Sequence, residues 1–440
     1  MFTQLISFDG TESVSCRIEK PTKYNELFGL LKKSDFIPRG AGLSYCMASG
    51  GIDTTSIDTS LFNRIISFNK EKGIITIEPG INLGDLLKII IKEGWFFPVL
   101  PGYPIITVGG CIGFNVHGKS QYRIGLFGDY VNKIKIFHPA YGEIVCSRDE
   151  NKDIFELTIG GFGLTGLITE VELRLTRLKN KYVKLKKVFV ENFAEAIEFI
   201  TNHKDEYDVM YSWNNLNNNR KSFGNGVLYV ESFLDYNYAR ADRNIRYKNR
   251  IGQNRGRFRI GFYNKLSIIL ECKVYQLKEY LTKKEIILPV EKAGFPIYGK
   301  EIYHKLFGKK GLREYQMIIP KNKWADFENQ FYNLIQLNKV KFTLGSLKLF
   351  EGEPNLLNFQ KSGICLAFDM PANKASYEFF NKLDLLVIQN EGIANISKDS
   401  RLEPNVVEKM YPGYNKFKNS LKFIEKDKPL NSALRSRLKL

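Results

Sequence analysis

The chain has 440 residues, enough for two or three domains, because a single hydrophobic core stops growing near ~250–300 residues. Its 43% hydrophobic and 25% charged content is an ordinary globular balance, which excludes a disordered or fibrous chain. The formal charge of +18 favours an anionic partner (a phosphate ligand, an acidic membrane surface or a nucleic acid), with a lysine-rich genome as the plain alternative.

In chain order, Val14 to Ile18 alternates like a strand and Tyr24 to Lys33 reads as a short helix. Ile65 to Phe68 and Ile74 to Glu78 predict a hairpin, and Leu83 to Lys92 predicts a helix stopped by Gly94. A second hairpin pairs Ile134–Phe137 with Glu143–Cys146, and Ile168 to Leu175 alternates again. Beyond Lys179 the spacing predicts a helix over Phe193–Thr201 and strands over Met210–Trp213 and Val227–Glu231. The basic run Arg240 to Arg259 follows, then strands over Tyr315–Ile319, Leu344–Phe350 and Ile364–Met370. Helices over Trp324–Leu337 and Ala375–Gln389 alternate with them. Short strands mixed with helices mean an α+β fold, not a regular β-α-β one.

Six cysteines stand singly without a C-x-x-C pair, so neither a metal site nor a dithiol is expected, and a reducing compartment fits. The first ten residues lack a basic n-region, so no signal peptide is expected. The most apolar run, Leu86 to Leu100, is broken by Lys88, Lys92, Glu93, Gly94 and Pro98 and cannot span a bilayer. The expected location is cytoplasmic, at most peripheral on the inner face of the membrane.

Three glycine-rich segments carry the chemistry: Pro38 to Tyr45, Pro101 to Gly118 and Ile159 to Gly166. Glycine permits positive φ and close approach, and successive backbone amides then form a nest for phosphate oxygens. Gly161, Gly163 and Gly166 satisfy G-x-G-x-x-G, but an apparent helix (Asp153 to Thr158) precedes them and a strand follows, the reverse of a Rossmann context. Any one segment reads as a tight turn. Three in one mixed domain point to a large phosphate-bearing cofactor.

The segments R-G-x-G-x-S (Arg39 to Ser44), P-G-x-x-x-x-T-V-G-G (Pro101 to Gly110) and G-G-x-G-x-x-G (Gly160 to Gly166), in this order, resemble the PCMH-type FAD-binding domain of the vanillyl-alcohol-oxidase superfamily. The resemblance implies a two-domain α+β flavoprotein: an FAD domain over 1–179, a substrate domain on an antiparallel sheet over 180–397, and a C-terminal segment over 398–440 that returns to the flavin. It implies that FAD is held by Arg39, Gly40, Ala41, Gly42, Leu43, Ser44 and Tyr45. The second segment adds Pro101, Gly102, Thr107, Val108, Gly109, Gly110, Gly113, Asn115, His117 and Gly118, and the third adds Gly163, Gly166 and Ile168. Leu43 stands where many members carry the histidine that attaches flavin, so the FAD is expected to be non-covalent.

The sequence is similar to one branch of that superfamily in particular, which oxidises the 2′-hydroxyl of a polyprenyl-phosphate-linked pentose in cell-envelope glycan synthesis. Thr107 to Lys119, Gly311 to Pro320, Leu347 to Phe350, Phe368 to Pro371, Lys398 to Arg401, Met410 to Pro412 and Leu430 to Leu440 carry this similarity. The stretch from Lys179 to Tyr298 does not. Phe295, Glu314 and Ala367 depart from the branch, which has Tyr, Gln and Cys there. The branch implies Lys398 as active-site lysine, His117 and Tyr315 as further catalytic candidates, and Lys119, Gln316 and Lys348 as substrate contacts. On their own, a lysine among many is a solvated surface group and a lone histidine is a structural one. His138, His203 and His304 read as structural. The implied partners are a lipid-linked sugar and an NAD(P)-dependent reductase that takes the keto product. The basic run Arg240 to Arg259 reads most simply as a solvated loop, and its charge offers, as the alternative, contact with the anionic headgroups of a membrane or with the phosphate of a lipid-linked sugar. Nucleic acid is not expected, because only Tyr247 and Phe258 interleave those charges. The rival functions are a soluble-sugar oxidase of the aldonolactone or alditol type and a non-catalytic flavin-bearing module of a glycan-assembly complex.

Overall fold

The structure, a computed structural model, describes residues 2–33, 35–236, 238, 247, 261–426 and 429–440. The basic run Arg240 to Arg259 lies outside the described residues except for Tyr247.

The N-terminal part contains two sheets. The first is mixed, with β1 (Phe2–Ile6), β2 (Ser13–Glu19), β3 (Phe36–Arg39) and β4 (Thr55–Asp58) in the order β1-β2-β4-β3. Strand β2 buries Val14 and Cys16 alternately, as its period-2 pattern predicts. The chain leaves β3 at Arg39 straight into the first glycine segment. The second sheet is antiparallel, with β5 (Ile65–Asn69), β6 (Ile74–Ile77), β8 (Val131–His138), β9 (Gly142–Ser147) and β10 (Leu167–Arg174) in the order β5-β6-β10-β8-β9. Between them β7 (Trp95–Phe96) pairs with β11 (Thr176–Arg177). The helix Leu83–Lys92 is capped by Asn82, which accepts from the Asp85 amide, and Gly94 follows it at φ 75°. The third glycine segment runs from the helix Lys152–Thr158 into β10, so its G-x-G-x-x-G opens no helix.

The second half holds two antiparallel sheets where the sequence led us to expect one. They are β12 (Tyr182–Val190), β13 (Val209–Asn214), β14 (Gly226–Phe233) and β15 (Glu285–Pro289), ordered β13-β14-β12-β15, and β16 (Leu312–Ile319), β17 (Leu344–Phe350), β18 (Gly363–Pro371) and β19 (Ile393–Ala394), ordered β17-β18-β16-β19. Ser212 on β13 bridges them, its hydroxyl accepting from the Leu347 amide at 3.0 Å. The helices Trp324–Asn338 and Lys374–Gln389 bury Phe327, Phe331, Phe379 and Leu383 against the last sheet.

The C-terminal segment returns to the N-terminal sheet. The amides of Ala433 and Leu434 donate to Gly50 and Met47 carbonyls at 2.9 and 3.0 Å. One apolar core therefore runs from Leu27 and Phe36 through Phe368 to Leu434 and Leu438. At its edge Arg401, 3% exposed, pairs with Asp384 at 2.6 Å and Asp399 at 2.9 Å. Removing that guanidinium strands two buried carboxylates. Arg401→Met should lower the unfolding free energy by about 3–5 kcal/mol, read as a shift of the urea midpoint; a change below ~1 kcal/mol would show that water replaces the pairing.

Candidate functional site

The glycine segments and the two C-terminal sheets enclose one cavity of 1210 Å³. That exceeds the ~300–1,000 Å³ of an ordinary small-molecule site, leaving room for a large cofactor and a second ligand.

The first segment forms one wall. Gly42 sits at φ 64°, which only glycine adopts without strain in this loop. A Cβ on Gly40 would lie 2.1 Å from Thr107 Oγ1, so the loop is pressed onto the second segment. Thr107 Oγ1 in turn accepts from the Gly110 amide at 3.2 Å and caps the helix Val108–Gly113. Among the described residues, the amides of Gly40 to Ser44 donate to no protein acceptor. Successive unpaired amides on a glycine turn fit a pyrophosphate, which matches the cofactor implied by the sequence. Arg39 stays beside this loop, its guanidinium donating to Ser49 Oγ at 2.7 Å.

Ala41, Leu43, Ser44, Tyr45, Pro101, Gly102, Gly109, Gly113, Asn115, Gly118, Gly163, Gly166 and Ile168 also line the cavity. Val108 does not. It is fully buried in the apolar core with Ile77 and Leu86, on the side of its helix away from the ligand space. Asn115, at φ 41°, holds the turn by accepting from the Gly128 amide at 2.8 Å.

The opposite wall is the sheet of β16 to β19. Strand alternation decides which side chains reach the cavity. Glu314 and Gln316 line it, so Tyr315 faces the other way. Tyr315 is 1% exposed, packs on Phe380 and donates its hydroxyl to Asp384 at 2.7 Å. Burial pushes its phenol pKa up, and it is a core residue rather than a catalyst.

Lys398 does reach the cavity. Its ammonium lies 3.3 Å from Glu314 and 4.0 Å from the centre of the Tyr45 ring. The Tyr45 amide donates to the Ser397 carbonyl at 3.2 Å, tying the glycine loop to the lysine segment. Gln316 Oε1 accepts from Asn395 Nδ2 at 2.7 Å. Its Nε2 donates to His117 Nε2 at 3.2 Å, while His117 Nδ1 donates to the Gly118 carbonyl at 2.9 Å. Burial, with Lys348 nearby, depresses the imidazole to about 3. A neutral ring with both nitrogens engaged orients Gln316 and has no lone pair left for a substrate proton.

Lys119 and Lys348 differ. Lys119 Nζ donates to the carbonyls of Ala293 and Gly294 at 2.7 and 3.1 Å, so it pins that segment. Burial lowers its pKa to about 8 against the pull of Glu231. Lys348 makes no hydrogen bond or ion pair with any described residue and lines the cavity, with burial lowering its pKa. His304, read as structural from the sequence, also lines the cavity.

Sequence reasoning missed Asp369, which sits opposite Glu314 in the β16–β18 register. Burial, then repulsion from Glu314, pushes Asp369 to about 8 although the Tyr303 hydroxyl donates to it at 2.7 Å. Parity with Gln316 on β16 is the available signal for Glu314, but its cross-strand partner leaves no local mark.

Residues 29–147 match the FAD binding domain. The chain is 25% identical, over 92% of its length and 89% of the relative's, to the decaprenylphosphoryl-beta-D-ribose oxidase of Mycolicibacterium smegmatis. It is 28% identical to the D-lactate dehydrogenase of Anaerostipes hadrus, over 29% of this chain and 28% of that one. With the human Delta(24)-sterol reductase it shares 30% identity over 28% of this chain and 23% of that one. The protein therefore carries the FAD binding domain that its glycine segments resemble and is an FAD-dependent oxidoreductase. Its similarity to the mycobacterial oxidase extends through the second half, whereas the short matches to the other two are each confined to less than a third of the chain.

Gly40→Ala should purify with markedly less flavin per protein, judged by the ratio of flavin to protein absorbance, because its Cβ would displace the Thr107 cap; full occupancy would show that the loop yields. For Asp369, the native state keeps a proton that the unfolded chain has released, so stability falls as pH rises from about 4 to about 8. In Asp369→Asn the melting temperature should decline less over that window, and an unchanged slope would place the titration elsewhere.

Proposed function

We propose that the protein oxidises a secondary hydroxyl of a sugar carried on a polyprenyl phosphate, in keeping with a pentose oxidised at its 2′ position. What carries the reading is the meeting of three features in one cavity: the amide-lined glycine loop, Lys398 with its Glu314 partner, and the uncommitted ammonium of Lys348. The name of the mycobacterial relative, similar over 92% of this chain, supports the same substrate class.

The amides of Gly40 to Ser44 would hold FAD, which would supply the hydride acceptor for the carbinol carbon. The chain supplies the rest. Lys398 orients the hydroxyl and stabilises the alkoxide that forms as the proton passes to the Glu314 carboxylate beside it. Lys348 faces the cavity as a cation for the substrate phosphate. His117, held neutral, fixes Gln316 and Asn395 as hydrogen-bonding groups toward the sugar. The ketone then passes to a separate NAD(P)-dependent reductase, giving net epimerisation. No histidine stands at Leu43, so the flavin is bound non-covalently in this reading.

Anaerobic mixing with lipid-linked and soluble sugars, following loss of flavin absorbance, tests this reading. Wild type should bleach with the lipid-linked sugar. Lys398→Ala should retain its FAD, release it on acid precipitation as wild type does, and reduce it ~100-fold or more slowly. Lys398→Arg keeps the charge but not the shape and should recover only part of the rate. Reduction of the Lys398→Ala flavin at the wild-type rate would remove the lysine from the reaction, and bleaching by free alditols alone would move the substrate to a soluble sugar.

A further inference from the structure

The helix Lys265–Leu281 has apolar residues on two opposite faces. Ile268, Cys272 and Tyr275 pack inward, and with Glu279 they form the inner face; the Tyr275 hydroxyl meets Tyr229 at 2.8 Å, and Cys272, Tyr275 and Glu279 line the cavity. The other face carries Leu266, Leu270, Val274 and Leu277, which recur at helical spacing and are 56–79% exposed. A helix that packs on a protein core needs one apolar stripe, and exposed stripes of this length mark an interaction surface. Lys273 and Lys278, both exposed, stand on either side of the outer stripe, and Lys265 begins the helix. Lys283 and Lys284, exposed, continue the positive charge past its end.

We infer that this helix lies in the surface of an anionic lipid bilayer, its outer leucines in the acyl boundary and its lysines at the headgroups. Charge complementarity selects this occupant. A leucine stripe edged by lysines is the pattern of an interfacial helix, whose lysines extend from the apolar zone to phosphate. A helix of 17 residues with Lys273 and Lys278 within it does not cross the membrane, and no helix of the described residues is long and apolar enough to do so. The helix roofs the cavity, so one face touches lipid while the other touches the ligand space. The inference deepens the proposed function by naming the surface where a lipid-linked substrate is met, yet it is read from the helix alone.

The test needs no substrate, so it succeeds or fails separately from the sugar reading. The purified flavoprotein is sedimented with vesicles of phosphatidylcholine containing about 30% phosphatidylglycerol, and with phosphatidylcholine alone. Wild type should bind the anionic vesicles and bind the neutral ones ~10-fold or more weakly. Leu270→Glu with Leu277→Glu changes exposed positions only, so FAD absorbance should be retained while vesicle binding falls ~10-fold or more. Lys273→Glu with Lys278→Glu should weaken binding and flatten its salt dependence. Vesicle binding by the leucine variant equal to that of wild type would overturn the inference. So would a wild-type dimer, seen by analytical ultracentrifugation, that the leucine substitutions split while vesicles bind neither protein, because the stripe would then belong to a second copy of the chain.

Discussion

Arg401 is the point on which the site hangs. Its guanidinium is inserted between Asp384, on the helix Lys374–Gln389, and Asp399, in its own loop. Bringing three charges out of water is costly, and the arrangement persists only because every carboxylate has further donors. Asp399 Oδ1 also accepts the Arg401 and Leu402 amides at 2.6 and 2.8 Å, and Asp384 accepts the Tyr315 hydroxyl. Arg437 adds bonds to the Asp399 and Leu402 carbonyls at 3.0 and 2.6 Å. The loop between β19 and the helix Pro404–Met410 is thereby fixed at its C-terminal end. Asn395 fixes the other end by donating its amide to the Gln316 carbonyl at 2.8 Å. Lys398 lies between these anchors, so a lysine far along the chain reaches a defined place beside Glu314.

The same loop governs the cofactor wall. The Tyr45 amide bonds to Ser397, and the Lys398 ammonium lies over the Tyr45 ring, so the glycine loop and the lysine segment form one unit. The loop cannot retreat the other way, because Gly40 is pressed onto Thr107. A substitution that loosens either contact should be felt at both, which separates this site from one in which cofactor and substrate residues sit on independent lobes.

Local pattern made most of this legible in the sequence. The helices Tyr24–Lys33 and Leu83–Lys92, both early hairpins, and the three strands of the last sheet follow from periodicity and end signals. The three glycine segments gave the cofactor, because positive φ and close approach leave a mark on residue type. Tyr315 lies off the cavity because neighbours on a strand face opposite sides, so it and Gln316 cannot both reach it. Val108 was misplaced because a motif does not say which side of a short helix meets the ligand. The helix Lys265–Leu281 went unread because apolar residues on two faces blur a single-face period. Asp369 was hidden because cross-strand register is set by tertiary pairing.

The charges in the cavity form a connected account. Lys398 is matched by Glu314, and Lys119 is set against Glu231, whose own carboxyl is held above its ordinary range by burial. Asp369 is held toward its protonated form first by burial and then by Glu314 opposite, so it adds little negative charge near neutral pH. Lys348, part-buried, is a further cation of the cavity; burial lowers its pKa against the pull of Glu314, and it makes no ion pair with any described residue. Drawing an ammonium partly out of water disfavours its charged form, and an anion placed beside it would restore that form. Lys348 reaches the cavity from β17, whereas Lys398 reaches it from the C-terminal segment, so the two ammonium groups are positioned by different elements. A ligand group that meets Lys348 therefore need not draw Lys398 away from Glu314.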